Sequence, residues 1–484
     1  MNNQTAMPKG YGFRGWMLIL YQALAYVGYT MLNSYATNIF GQFYPAGTTG
    51  ITFLAMIASL LGWITTYFII SPRIGKIRNQ KLASMLFGIV ALILGALMLI
   101  ITPFTATGGI NYLWAVIYIL VQIVAPIWAN TMTTIMIGNW FPRKKGTVMG
   151  IVTIAYPVTS AVLLGVFQAA HGAALAQGAT LVQANIKAWL PFFIAAAVGI
   201  IICGIFVTTY PEECGCFRDN DKSFTKEMAD AMLAKELEDR KRSVWKRSKI
   251  WACGQWYLSC IPTGLIVLSS VAFMVQIIPA LIQFAPQLSI FVVPGFFFMN
   301  NPISAVLFLM GIFAIIGSYV LGLIDTKWGV KKAVIITSIS IIIMGILGLF
   351  ANAWTIFIAT MLLGVYMGAG SNFGFSMLVR YWRREDFPSV YTGQPPISTV
   401  LGAAMPYIFA LFASTPWGYH AVFAFMIVIG VICTVLECAF SPKKLAEYDN
   451  KLRVEAGLEA DNELLDRVHW ERDRNAAKKA AKRA

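Results

Sequence analysis

Gly322-Leu-Ile-Asp325-Thr-Lys327-Trp-Gly329-Val-Lys331-Lys332 stands between two apolar stretches, residues 298–324 and 333–351. A crossing of a hydrocarbon core of about 30 Å needs about 20 apolar residues, and both stretches reach that length. The segment therefore reads as a short loop between two spans: an acid at a helix end, a glycine turn, then lysines. The design recurs earlier. Ser71-Pro-Arg73-Ile-Gly75-Lys76-Ile-Arg78 follows an apolar stretch in the same way, with serine where the acid would stand. Trp140-Phe-Pro-Arg143-Lys144-Lys145-Gly146 likewise has a counterpart in Tyr381-Trp-Arg383-Arg384-Glu385. Loops repeated at corresponding places predict two similar halves.

Outward from these loops, the chain divides into apolar stretches at 14–40, 50–71, 83–103, 110–137, 147–170 and 188–209, then 253–285, 298–324, 333–351, 353–379, 393–413 and 417–440. Assigning alternate connections to one side places every Lys and Arg there except Lys187. Cytoplasmic loops carry such a bias because Lys and Arg resist translocation. The expected fold class is an all-α membrane protein, with twelve transmembrane helices in two six-helix bundles, multi-pass in the cell (inner) membrane. The expected organisation is a cytoplasmic N-terminus (1–13), an N-terminal six-helix bundle (14–209) and a cytoplasmic linker (210–250), then a C-terminal six-helix bundle (251–440) and a cytoplasmic tail (441–484). Mixed charge predicts solvated helices in the linker, over Ser223 to Arg242, and in the tail.

With 58% hydrophobic and 12% charged residues among 484, the chain is too apolar for an ordinary soluble enzyme. The net charge of +15 lies in short runs beside the spans, which suit anionic lipid head groups rather than nucleic acid. The first apolar stretch is too long for a signal-peptide core. The cysteines, Cys203, Cys214, Cys216, Cys253, Cys260, Cys433 and Cys438, fall in spans or the linker, so reduced thiols are expected and no disulfide framework. None has metal-ligand spacing. No nucleophile–base pair or phosphate-binding glycine loop is evident. The expectation is a monomeric non-enzyme, with no cofactor and no metal, whose partners are the bilayer and a small-molecule substrate.

The loop segments resemble the signature of the major facilitator superfamily, of form G-x-x-x-D-R-x-G-R-R. Asp325, Lys327, Gly329, Lys331 and Lys332 match it, with the leading glycine displaced to Gly322. Asn139-Trp-Phe-Pro-Arg-Lys-Lys-Gly-Thr-Val-Met-Gly150 is similar to the oxalate/formate exchanger and monocarboxylate carrier branch. The resemblance implies an alternating-access carrier whose first, fourth, seventh and tenth spans line the path. It also implies that Asp325, Gly329, Lys331 and Arg143 take part in gating, since a carboxylate at a helix end can latch neighbouring loops. The chain departs from that branch in one respect: 298–324 and 393–413 hold no basic residue.

No Asp, Glu, Lys, Arg or His falls near the middle of a span, whereas such groups mark ion pathways when present. Glu437 and His171 lie near span ends, the first expected at the interface and the second in a wet loop. Lys187 is expected in the external vestibule. Uncharged polar residues recur at helical spacing: Gln22, Tyr26, Tyr29 and Asn33 in the first span, and Gln122, Asn130 and Thr134 in the fourth. Tyr156 and Gln168 stand in the fifth, Ser269, Gln276 and Gln283 in the seventh, Tyr366 and Asn372 in the tenth. The expected substrate site is Tyr26, Tyr29, Asn33, Gln122, Asn130, Tyr156, Gln276, Tyr366 and Asn372. Such a chamber suits a small carboxylate held by hydroxyls and amides, moved by exchange or with a proton. The alternative is efflux of a hydrophobic or aromatic neutral compound. Gly364, Gly368, Gly370 and Gly374 read as helix packing, and Pro126, Pro157, Pro262 and Pro279 as kinks.

Overall fold

The computed structural model describes residues 10–45, 47–70, 79–141, 145–155, 158–221, 223, 225–241, 243–296, 299, 301–350, 352–383, 386–391, 394–461 and 464. The helices are α1 (Phe13–Thr30), α2 (Ala36–Phe43), α3 (Gly47–Ile64), α4 (Gln80–Ile100), α5 (Tyr112–Pro126), α6 (Thr133–Trp140), α7 (Lys145–Thr153), α8 (Leu164–Ala176) and α9 (Leu181–Phe206) in the first half. The charged linker holds α10 (Lys226–Lys241) and α11 (Arg247–Ala252). After it come α12 (Gly254–Gln283), α13 (Ala285–Leu288), α14 (Pro302–Trp328), α15 (Val330–Leu349), α16 (Ala353–Tyr381), α17 (Phe387–Tyr391), α18 (Gln394–Ala413), α19 (Tyr419–Ala439) and α20 (Pro442–Glu455). Among the described residues the architecture is all-helical, with one isolated β-bridge between Phe104 and Ile110.

Among the described residues, each apolar stretch of the sequence lies largely on helix. Among the described residues, 7 helices are long and apolar enough to cross a membrane, or 8 if the two parts of α16, bent by 41°, form one span. The chain is thus a multi-pass membrane protein. Polar residues begin the helices: Asn79 Oδ1 accepts from the Leu82 amide at 2.9 Å, and Thr180 and Asn301 form capping boxes. Such caps satisfy amides that the first helical turn leaves unpaired.

α4 illustrates how sequence sets packing. Its small residues Ser84, Gly88, Ala91 and Gly95 are buried on one side, while Leu86, Ile93 and Ile100 are exposed on the other. Lipid rewards the large apolar side chains, and close approach between helices needs the small ones. A Cβ on Gly88 would stand 2.8 Å from the indole of Trp128. That indole donates to Tyr21 Oη at 2.9 Å, and Tyr21 in turn meets Ser84 Oγ at 2.7 Å.

Four breaks in the first half are wide π-helical turns: Met31–Tyr35, Thr65–Ile70, Ile127–Met132 and Val158–Leu163. The third follows Pro126, which cannot donate to the helix ladder. Pro157 lies outside the described residues. Helices of each half pack largely among themselves: α1 with α9 and α4 with α5, then α14 with α16 and α15 with α19. Contact between halves is made by α3 with α18 and by α7 with α14 and α16. Gly364 and Gly368 lie where α16 crosses α14, as the spacing predicts, and Gly370 faces Ile266 of α12.

Candidate functional site

Two π turns place the central polar groups. In the first, Asn33 Nδ2 donates to Gln122 Oε1 at 2.6 Å, while Gln122 Nε2 donates to the Leu32 carbonyl at 3.1 Å. A π turn leaves backbone carbonyls without their usual helical partner, and a side-chain amide from α5 takes one of them. In the second, Asn130 lies beside the Tyr29 hydroxyl. One turn further, Gln22 Nε2 donates to Thr134 Oγ1 at 3.1 Å. Tyr29, Asn33, Gln122, Asn130, Gln22 and Thr134 are therefore brought together between the first and fourth spans.

The second half reaches into this group. Tyr391 of α17 donates its hydroxyl to the Asn130 carbonyl at 3.4 Å and lies beside Thr134. Asn372 of α16 donates Nδ2 to Thr153 Oγ1 of α7 at 2.7 Å, leaving its buried Oδ1 without a partner. Interhelical bonds of this kind contribute about 0.6–2 kcal/mol each in a membrane, little enough to break and reform in a cycle. Among the described members of this layer there is no Lys, Arg or His.

The other expected residues are placed differently. Tyr26 is buried on α1. Tyr366 is fully buried inside the second half, beside Ser269 of α12, and its hydroxyl donates to Met344 Sδ of α15 at 3.9 Å. Lys187 is exposed near the start of α9. Tyr156 and Arg143 lie outside the described residues, as do the side chains of Gln276 and Gln168. Tyr391 and Thr153 were not legible as site residues. Tyr391 sits in a charged connection and Thr153 near a span end, and the contact of Thr153 with Asn372 joins residues far apart in the chain. The available signal was a hydroxyl flanking each loop of the repeated pair.

The loop after α14 is ordered as its motif suggests, with different partners from a latch between halves. Gly329 turns the chain at φ 93° and donates its amide to the Asp325 carbonyl at 2.9 Å. Asp325 Oδ2 accepts from Ser376 of α16 at 2.6 Å. Lys331 donates Nζ to the carbonyls of Phe440 at 2.6 Å and Cys438 at 3.3 Å, capping the end of α19 where the helix dipole favours a cation. Asp325→Asn is expected to slow turnover several-fold while substrate Kd stays within twofold, because it alters the α14–α16 joint and no residue of the polar layer. Stopped-flow uptake and equilibrium binding on the same preparation check this.

Two side chains correct the sequence reading. Glu437 is not at an interface: it is completely buried, and neither carboxylate oxygen has a hydrogen-bond partner. His171 is not wet: it is 2% exposed and lies 3.0 Å through Nε2 from Asn185 Oδ1. Asn185 Nδ2 donates to the Leu99 carbonyl at 3.2 Å, so its Oδ1 must accept and the imidazole carries its proton on Nε2.

The sequence model described as Major Facilitator Superfamily matches residues 298–473. The glucose-6-phosphate exchanger SLC37A2 of Xenopus tropicalis is 31% identical over 187 residues, which is 36% of this chain and 34% of that protein. The match thus spans about a third of the relative's length. Among solved structures, the proton:xylose symporter XylE bound to 6-bromo-6-deoxy-D-glucose superposes with a TM-score of 0.60 at 12% identity, covering 88% of this chain and 95% of that one. The human organic anion transporter MFSD10 (TETRAN) gives 0.57 at 11% identity, covering 87% and 97%. Over 298–473 the chain is thus similar to the Major Facilitator Superfamily, and its all-helical fold is shared with these solved transporters.

Proposed function

We propose that the chain is a secondary transporter that moves a small organic acid, of monocarboxylate type, by alternating access. Two six-helix bundles, 14–209 and 251–440, rock against each other about the polar layer, and the linker 210–250 joins them. The basic loops face the cytoplasm. The observation that carries this reading is the layer itself: amides and hydroxyls of Tyr29, Asn33, Gln122 and Asn130, joined to the opposite half through Tyr391, with a second bond between the halves from Asn372 to Thr153. Tyr391–Asn130 and Asn372–Thr153 join the two halves, so they part when the bundles rock apart.

The donor set favours a single carboxylate over a more highly charged cargo. Hydroxyl and amide N–H groups can share one negative charge through several hydrogen bonds. A phosphate dianion, such as the relative's name implies for that protein, would meet no cation among the described residues of the layer, and desolvating it unpaired is costly. Competition in one binding assay among lactate, glucose 6-phosphate and a neutral aromatic compound tests the assignment, with lactate expected to compete best. Preference for the aromatic compound would instead favour efflux of hydrophobic molecules. In the same assay Tyr29→Phe is expected to weaken lactate binding about fivefold, the equivalent of about 1 kcal/mol for one lost hydrogen bond. An unchanged Kd would move the site away from α1.

A further inference from the structure

Glu437 lies in the last turns of α19, bracketed by two contacts with α12. On one side Cys433 Sγ donates to the Pro262 carbonyl at 3.7 Å, and on the other Gln255 Oε1 accepts from the Ser441 amide at 2.7 Å. The two helices run antiparallel, so Glu437 stands level with Ser259 of α12. Ser259 spends its hydroxyl on the Trp256 carbonyl at 2.7 Å and offers nothing to the carboxyl. From α15 the facing cation is Lys331, whose ammonium is engaged by the Cys438 and Phe440 carbonyls. From α16 it is faced by Tyr381, with Arg380 and, across on α14, Asp325 beyond it. Cys433 shares its own helix, and Cys260 is buried on α12.

An ionised carboxylate in such a place has no hydrogen-bond donor within the protein, and a buried group in that position sheds its charge by keeping its proton. The surroundings repeat the pattern. Trp256 Nε1 on α12 and Thr337 Oγ1 on α15 are also buried without partners, on the two helices packed against α19. Intramembrane carboxyls without a structural partner are functional sites by default.

We infer that Glu437 is a proton-binding site, protonated while α12, α15 and α19 are packed together and ionised against Lys331 when their ends part. The protonation stands on the packing alone; its part in a transport cycle rests on the carrier reading above. The test needs no substrate. Infrared difference spectra of the purified full-length protein at neutral pH are expected to show a protonated carboxyl band that Glu437→Gln removes. The same band in both proteins overturns the inference. Lys331→Met is a second arm should Glu437→Gln fold poorly. With the carboxyl already protonated, removing the ammonium leaves the band present at neutral pH and extends it to more alkaline pH. A band that appears only in Lys331→Met would mean an ionised Glu437 paired with Lys331, and would also overturn it. Because no cargo is involved, either failure leaves the transport reading standing.

Discussion

Arg383→Met is expected to destabilise the protein by about 3–5 kcal/mol, because breaking a buried ion pair leaves the partner charge uncompensated. Arg383 follows α16, and its side chain is 2% exposed. Its Nε donates to Asp449 Oδ2 at 2.8 Å, and its Nη1 and Nη2 both bond Asp461. Burial would favour discharging the guanidinium, but Asp461 and Asp449 outweigh it and raise its pKa above the ordinary arginine value. The other oxygen of Asp449 accepts from Trp245 Nε1 at 2.8 Å, while Ser243 donates to Asp386 at 2.5 Å. Tail, linker and the connection leading to Tyr391 are thus tied at one point. Thermal unfolding of the detergent-purified protein checks the loss. Arg383→Met with Asp449→Leu should recover part of it, since removing both charges removes the uncompensated one. A single variant as stable as wild type would mean that the cluster is solvated.

Gly368→Val is expected to prevent the close crossing of α14 and α16 and to abolish monodisperse protein. A Cβ on Gly368 would lie 2.7 Å from the Ala314 carbonyl oxygen, and one on Gly364 would overlap the Met310 carbonyl oxygen. Backbone cannot turn aside as a side chain can, so the helices must separate. Overpacking costs about 1–3 kcal/mol even where side chains can yield; here the cost is at the upper end or beyond. Gly370→Ala is the control, because its Cβ would meet the Ile266 methyl at 3.0 Å and backbone no closer than Val267 N at 3.9 Å. Size-exclusion profiles of the two variants give the comparison, and equal profiles would contradict the crossing.

Particular residues explain how far the sequence could be read. The spans were legible because an apolar run of sufficient length admits one structure in lipid, a helix that satisfies its own backbone. Gly364 and Gly368 were legible because a four-residue spacing of small residues has one common use. Asn33, Gln122, Tyr29 and Asn130 were legible as faces of single helices. Their pairing was less so, because π turns at Met31–Tyr35 and Ile127–Met132 shift the helical register without a composition signature. Glu437 was misplaced for a related reason. Its nearness to a span end suggested an interface, yet α12, α15 and α16 enclose it. Burial there depends on how separate helices pack, which no local pattern announces.

The central claim is that the layer around Gln122 and Tyr29 carries a small organic acid between two faces of the membrane. Counterflow tests it most directly. Proteoliposomes loaded with unlabelled lactate are diluted into a trace of labelled lactate, with wild-type protein and with Gln122→Ala reconstituted to equal density. The expected result is transient accumulation of label in wild-type vesicles and its loss in the variant. Counterflow of equal rate and extent in both, or none with wild type, would contradict it.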